Sequence, residues 1–246
     1  MDNEKDLIIG RNAVLEAIKS GRQIESLLVQ TGEISGSVKI ILAKAKQSGI
    51  IVKKADRKKL NAISGNAAHQ GVIAVSGVKK TCSIDDILNS AKSKNEAPFV
   101  IIADGIEDPH NLGAIIRTAE CAGANGVIIP KRRAAGLTGA VDKSSAGALE
   151  YVKIAKVSNI PFAIDELKSK GLWIYGADMN GEVWHKKDLT GPIALIIGAE
   201  GRGISKLVKE KCDFIVSLPT CGKIQSLNAS VAAGVLMYEV CRQRGN

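Results

Sequence analysis

Residues 99–119 read Phe99-Val100-Ile101-Ile102-Ala103-Asp104-Gly105-Ile106-Glu107-Asp108-Pro109-His110-Asn111-Leu112-Gly113-Ala114-Ile115-Ile116-Arg117-Thr118-Ala119. The first five are apolar without alternation, which predicts a strand buried on both faces. Beyond a polar turn, Leu112, Ile115, Ile116, Ala119 and Ala122 recur at helical spacing and mark one buried face. A buried strand feeding a helix is the building unit of a parallel α/β sheet. The pattern continues downstream, with strand candidates at Val127-Ile128-Ile129, Tyr151 to Ala155, Leu172 to Gly176, Ile193 to Ile197 and Phe214 to Leu218. Ligands of such sheets bind beyond the carboxyl ends of the strands, so the loops there are where chemistry is sought.

Upstream, residues 8–76 read as a separate small α/β sandwich. Ala13 to Ile18, Val38 to Lys46 and Arg57 to Ile63 have helical patterns; Leu27-Leu28-Val29, Ile50-Ile51-Val52 and Gly71 to Val75 read as strands. Gly77, Lys79, Lys80 and a polar helix from Ser83 look like a connector. The expected organisation is a first domain at 1–78, a linker at 79–97 and a second domain at 98–246.

The chain has 246 residues, 45% of them hydrophobic and 24% charged, enough for a sizeable core and too apolar for wholesale disorder. Aromatics make up only 3%, which argues against base stacking as the main means of RNA recognition. The net charge of +9 is uneven: residues 1–80 hold 14 Lys+Arg against 7 Asp+Glu, and the remainder 20 against 18. A basic first domain suits a polyanionic partner, although a solvated basic surface has the same signature. The densest patch is Lys53-Lys54-Ala55-Asp56-Arg57-Lys58-Lys59. Five scattered cysteines and three histidines form no Cys-x-x-Cys or zinc spacing, so no metal and mostly buried, reduced thiols are expected. No apolar run approaches a membrane span, and the polar start Met1-Asp2-Asn3-Glu4 is no secretory signal, so a cytoplasmic protein is expected.

Three loops follow predicted strands. In the first, Asn111 reads as the N-cap of its helix, and Arg117 lies four residues beyond Gly113 on the same face. That Arg can reach a phosphate, or pair with Glu120 on the surface. The second, Gly198-Ala199-Glu200-Gly201-Arg202-Gly203, has glycines suited to a tight turn, but Glu200 opposes phosphate and favours a cationic or uncharged ligand. The third runs from Pro219 through Ser226-Leu227-Asn228 into a small-sided helix, where Ser226 or Asn228 is either a cap or a functional group. His110 and His69 lie beside a motif and a turn, His185 reads as surface, and nothing marks Cys221 as a nucleophile.

The ordered trio resembles the SpoU/TrmH family of RNA ribose 2′-O-methyltransferases, within the SPOUT superfamily, over residues 99 to about 243. The matching segments are Asn111-Leu112-Gly113 with Arg117-Thr118-Ala119, Ile197 to Gly203, and Leu218-Pro219 through Ser226-Leu227-Asn228-Ala229-Ser230. Ile9 to Val14 and His69-Gln70-Gly71-Val72 resemble the ribosomal-protein-like substrate-binding domain of some members, and the chain as a whole is most similar to members that methylate a guanosine of large-subunit rRNA. The resemblance implies a parallel α/β sheet with a deep trefoil knot, a departure from the rule against knots. It also implies a homodimer with its active site near the subunit interface, and S-adenosylmethionine bound at Ala177, Gly198, Glu200, Gly203, Leu218 and Leu227. It assigns catalysis to Asn111, Arg117, Glu200, Ser226 and Asn228, with Arg117 activating the ribose hydroxyl directly or through the substrate phosphate. Arg is normally always protonated, which favours the phosphate clamp, and Glu200 can hold Arg117 as a bidentate pair. With the basic patch, the resemblance assigns RNA contacts to Arg11, Lys53, Lys54, Arg57, Lys58, His69 and Gln70.

Rivals to an rRNA enzyme are the same chemistry on tRNA, an adenosine-directed resistance methylase, and a non-catalytic RNA-binding assembly factor. The presence of Arg117, Glu200 and Asn228 argues against the last. A Rossmann-type methyltransferase is disfavoured by the missing glycine fingerprint after Phe99–Ala103.

Overall fold

The computed structural model describes residues 6–22, 24–32, 36–76, 81–224 and 226–245. The chain forms two compact units, Met1–Lys80 with Gly136–Tyr151, and Thr81–Ala135 with Val152–Asn246.

In chain order the first unit begins β1 (Asp6–Ile9), α1 (Arg11–Lys19), β2 (Ile24–Gln30), α2 (Gly36–Gln47), β3 (Ile51–Ala55), α3 (Arg57–Ile63) and β4 (Val72–Ser76). Its sheet order is β1-β4-β2-β3, with only β2 and β3 parallel. The period-2 pleat sends Leu27, Val29, Val72 and Ala74 to a core with Val14, Ala17 and Ile41, and Leu28 and Ile73 to the opposite face with Leu60. Helices α1 and α2 thus cover one face and α3 the other. The β1 strand gives no sequence signal of its own, because Leu7-Ile8-Ile9 is too short to show a period. On β3, Lys53 and Lys54 are exposed at the sheet edge, charges that discourage edge pairing.

The second unit starts earlier than expected. The stretch that reads as a polar connector is helix α4 (Ile84–Ser93), closed by a Ser83–Asp86 capping box, with Ile84, Ile87 and Ala91 buried. The 78/79 boundary itself lies outside the described residues. There follow β5 (Phe99–Asp104), α5 (Pro109–Cys121), β6 (Gly126–Pro130), α6 (Gly139–Ser144), β7 (Ile154–Val157), α7 (Ile160–Ser169), β8 (Trp173–Val183), β9 (Ile193–Gly198), α8 (Lys206–Lys211), β10 (Phe214–Ser217) and α9 (Ala229–Gln243). All strand pairs in this sheet are parallel, in the order β10-β8-β9-β5-β6-β7. Val100, Ile102, Ile128, Ile174, Ala194 and Ile196 are completely buried in its core.

Helix α6 departs from the sequence-based division, because Gly136–Tyr151 groups with the first unit. An ion pair of 2.5 Å between Arg22 and Glu150, with side chains 8% and 2% exposed, seats it there, and Tyr151 donates to Glu16. This buried polar contact is invisible in a linear reading.

The cysteines differ from expectation: Cys121 and Cys221 are exposed, and Cys82, Cys212 and Cys241 are half-buried. Burial pushes the Cys212 thiol up to about 11, which suppresses thiolate chemistry there.

Candidate active site

The carboxyl ends of β8, β9 and β10 enclose a cavity of about 520 Å³ with the start of α9. Two local features of sequence make it. Consecutive residues Ile215 and Val216 of β10 pair with Gly176 and Glu182 of β8, so residues 177–181 bulge out of the sheet and form one wall. The bulge closes where a Cβ on Gly181 would stand 2.6 Å from the Ile215 backbone, so only glycine fits. The second feature is the turn after β9. Ala199 and Gly203 exchange backbone hydrogen bonds of 3.1 and 2.8 Å, folding the turn back over Gly198. A Cβ on Gly198 would lie 2.1 Å from the Gly203 carbonyl carbon.

The floor is apolar, from Ile197, Val216, Leu218 and Leu236, and the rim carries Asp178, Glu200, Ser226 and Asn228. Lys209 pairs with Asp178 at 2.9 Å, and the Asn180 amide donates to the same oxygen. Burial pushes the Asp178 carboxyl up, but these partners outweigh it and hold it below the usual range.

At the mouth, Asn228 is a hub. Its Oδ1 accepts from the Ser230 and Val231 amides and from the Ser230 hydroxyl, capping α9. Its Nδ2 donates to Asn111 Oδ1 at 2.9 Å and to Glu200 Oε1. One side chain therefore both caps the helix and ties Asn111 to Glu200.

Asn111 itself is a correction. The helix is capped by Asp108, which accepts from the His110 amide, with Pro109 in its first turn. Asn111 lies inside α5, 8% exposed, and reaches Asn228. The Asp-Pro pair is the stronger start signal.

Of the residues assigned to catalysis, Asn111, Glu200 and Asn228 are hydrogen-bonded together and Ser226 lines the same cavity. Arg117 is not with them. It stands about 9 Å further along α5 than Asn111 and about 120° around it. It is exposed and, among the described residues, makes neither the pair with Glu200 nor the pair with Glu120. All six residues assigned to the cofactor, Ala177, Gly198, Glu200, Gly203, Leu218 and Leu227, line the cavity. Sequence reasoning missed Asp178 and Asn180, because nothing in the sequence marks a bulge in β8. It also passed over Lys131-Arg132-Arg133, exposed beyond β6, though three consecutive cations at a strand's carboxyl end are a legible signal.

In the first unit, Arg11, Arg57, His69 and Gln70 line a separate cavity of about 580 Å³, while Lys53, Lys54 and Lys58 are exposed outside its lining. Among the described residues no group of three or more His, Cys, Asp or Glu could hold a metal ion, and no helix is long and apolar enough to cross a membrane.

Residues 98–238 match the SpoU rRNA Methylase family, and residues 7–77 match the RNA 2′-O ribose methyltransferase substrate-binding family. The YacO protein of Bacillus subtilis (strain 168), which carries a TrmH family tRNA/rRNA methyltransferase name, is 46% identical over 99% of this chain and 98% of its own length. The SpoU methyltransferase AviRb from Streptomyces viridochromogenes, crystallised with AdoMet, superimposes with a TM-score of 0.80 at 26% identity, covering 98% of this chain and 90% of that one. The A. aeolicus TrmH/SpoU tRNA modifying enzyme has a TM-score of 0.55 at 28% identity and covers 65% of this chain and 84% of that one. These likenesses define the class: an S-adenosylmethionine-dependent methyltransferase acting on the ribose 2′-oxygen of RNA. The chain belongs to the SpoU/TrmH family.

The cavity suits that cofactor. Its size falls within the range of small-molecule sites, its apolar floor suits an adenine, and the Glu200 carboxylate, with Asp178 already paired to Lys209, suits a cationic group.

Proposed function

We propose that the substrate is ribosomal RNA of the large subunit, that the methylated ribose belongs to a guanosine, and that the enzyme works in the cytoplasm as a homodimer. The observation carrying the rRNA reading is the match of residues 98–238 to an rRNA methylase family and of residues 7–77 to a substrate-binding family. The tRNA modifying enzyme superimposes on only 65% of the chain. The guanosine rests on the overall resemblance of the sequence to members of the family that methylate a guanosine of large-subunit rRNA.

In the proposed reaction S-adenosylmethionine supplies an electrophilic methyl group. Gly198, Gly203, Leu218, Leu227 and Ala177, which line the cavity, would hold it, largely through backbone groups and apolar contact, and Glu200 would offset its positive charge. Asn111 and Asn228, locked together, orient the ribose beside it, with Ser226 on the same rim. A 2′-hydroxyl is a weak nucleophile, so positioning in line with the methyl supplies much of the acceleration. Arg117 would neutralise the adjacent phosphate and polarise the hydroxyl; as the oxygen–methyl bond forms and the sulfur–methyl bond breaks, the hydroxyl proton leaves to solvent.

Two observations favour a homodimer. Arg117 does not reach its own chain's cavity. Along α9, Val231, Val235 and Tyr238 are exposed at helical spacing, an apolar stripe that a second copy would cover. In such a dimer Arg117 serves the partner's site. The return of the chain from β10 to the small-sided helix α9 is where the trefoil knot would be threaded.

The test supplies labelled S-adenosylmethionine with purified rRNA and tRNA pools. Label in rRNA, lost in Arg117→Ala, supports the reading. Label in tRNA alone transfers the same chemistry to the other substrate. Sedimentation of the protein as a monomer at working concentration would contradict the dimer.

A further inference from the structure

The first unit's cavity has an unusual lining. Among the described residues it contains Arg11, Arg57, Asn61, Asn66, His69 and Gln70 and not one carboxylate. In a chain with 25 Asp+Glu, a concave site of about 580 Å³ bearing two guanidiniums and several amides without a counter-charge favours an anionic ligand rich in hydrogen-bonding edges.

The lining is also rigid. His69 Nδ1 accepts from the Gly71 amide at 3.0 Å, and its Nε2 meets Asn61 Oδ1 at 2.9 Å. Since a backbone amide N–H can only donate, Nδ1 is the acceptor and Nε2 carries the hydrogen. The Val72 amide closes the turn onto the His69 carbonyl at 3.0 Å. Gln70, at the tip, has φ 52, followed by Gly71 at φ 84. A non-glycine residue in the left-handed region is a local strain that the surroundings must hold. Arg11 does so: its backbone amide donates to Gln70 Oε1 at 3.1 Å and its Nε to the Gln70 carbonyl at 2.9 Å.

What this leaves available is specific. Arg57 has no hydrogen-bond or ion-pair partner among the described residues. The Asn61 and Gln70 amides are fixed through their oxygens, so their NH₂ groups are presented as donors. Among the described lining residues the one aromatic ring is the His69 imidazole, whose two nitrogens are both held in hydrogen bonds, so a base would be gripped by its edge and not stacked between rings.

We propose that this cavity receives one unpaired nucleotide of the RNA, with its phosphate on Arg57 and its base edge on the amides of Asn61 and Gln70. The inference rests on RNA being the substrate and goes further by assigning a reader of unpaired RNA distinct from the Lys53 and Lys54 edge. Those lysines, on an open strand, attract any phosphate backbone; the cavity admits only a nucleotide freed from a duplex, whose stacked bases cannot enter.

The experiment uses the full chain and two fluorescent RNA hairpins, one fully paired and one with a single-nucleotide bulge. Anisotropy gives both affinities, and a titration with S-adenosylmethionine runs in parallel. The wild type prefers the bulged hairpin by about tenfold, the ratio worth one net set of polar contacts. Arg57→Ala removes the phosphate partner, and Ala68→Phe fills the cavity from an exposed lining position without changing any charge. Each reduces the preference to near unity while S-adenosylmethionine binding stays unchanged. Lys53→Ala with Lys54→Ala weakens both hairpins equally and keeps the preference. The proposal is overturned if both cavity variants retain the wild-type preference, or if only the lysine variant abolishes it. A wild type that binds S-adenosylmethionine but shows no preference overturns the cavity's role and leaves the enzyme standing. A wild type that binds neither overturns both.

Discussion

Replacing Gly198 by Ala adds one methyl group at the tightest point of the cofactor cavity. Its Cβ would stand 2.1 Å from the Gly203 carbonyl carbon, 2.3 Å from the Ile204 nitrogen and 2.4 Å from the Gly203 oxygen. Non-bonded contacts to carbon sit near about 3.5–4.0 Å, so the turn must retreat by more than about 1 Å. It cannot do so freely, because Ala199 and Gly203 are joined by two backbone hydrogen bonds and Gly198 continues β9 in register with Asp104. Overpacking of this kind costs about 1–3 kcal/mol, and if the displaced turn is the cofactor's cradle that becomes a loss of about 5- to 150-fold in S-adenosylmethionine affinity. Isothermal titration of the variant measures it, beside thermal unfolding to record how much of the cost falls on the fold. Gly201→Ala is the control: a Cβ there meets nothing within 4 Å, although φ 75 makes its backbone strained. Gly201→Ala lowers stability slightly and leaves affinity within a few-fold. Wild-type affinity and melting temperature in Gly198→Ala would show that the turn yields freely and that close packing there shapes nothing.

Other consequences follow from the same geometry. Asn228→Ser keeps a helix-capping oxygen but removes the amide donors to Asn111 and Glu200; methyl transfer falls by about 10²-fold with stability held within about 1 kcal/mol, measured by turnover and denaturant unfolding. Arg117→Ala, at an exposed position, leaves the unfolding free energy within about 0.5 kcal/mol and cofactor affinity unchanged, while transfer to RNA collapses. Burial, with Arg57 nearby, holds the His69 imidazole below its ordinary value. The unfolded chain therefore takes up this proton first, so stability is fully present above about pH 6.5 and is lost as pH falls from there through the lower folded value. His69→Gln removes that part of the slope in pH-dependent unfolding. Lys53→Ala with Lys54→Ala flattens the logarithmic salt dependence of RNA binding by about 0.7–0.9 for each phosphate that the two lysines neutralise in the wild type.

The parallel sheet is readable from sequence because its strands are continuously apolar: Phe99–Ala103, Val127–Ile129 and Ile193–Ile197 all lie within strands of the fold. The glycine turn and the third loop stand out in the sequence by their glycines and caps, and the six residues assigned there to the cofactor line one cavity. What is not legible depends on register or on contacts distant in sequence. The bulge of residues 177–181 arises from β8 pairing discontinuously with β10. Asn111 has the residue type of a cap, but Asp108 and Pro109 start the helix about one turn earlier. Gly136–Tyr151 belongs with the first unit through the Arg22–Glu150 pair, 128 residues apart. Arg117 carries a family motif, yet it is exposed and does not line the cavity at the start of α9.

Alkaline hydrolysis of RNA labelled from S-adenosylmethionine decides whether the methyl group reaches a ribose 2′-oxygen at the Asn111–Glu200–Asn228 cluster. A 2′-O-methyl group blocks cleavage at its own phosphodiester. Label in alkali-resistant dinucleotides is expected with the wild-type enzyme, and about a hundredfold less of it with Asn228→Ser under initial-rate conditions. Label released in mononucleotides would place the methyl on a base and contradict the assignment.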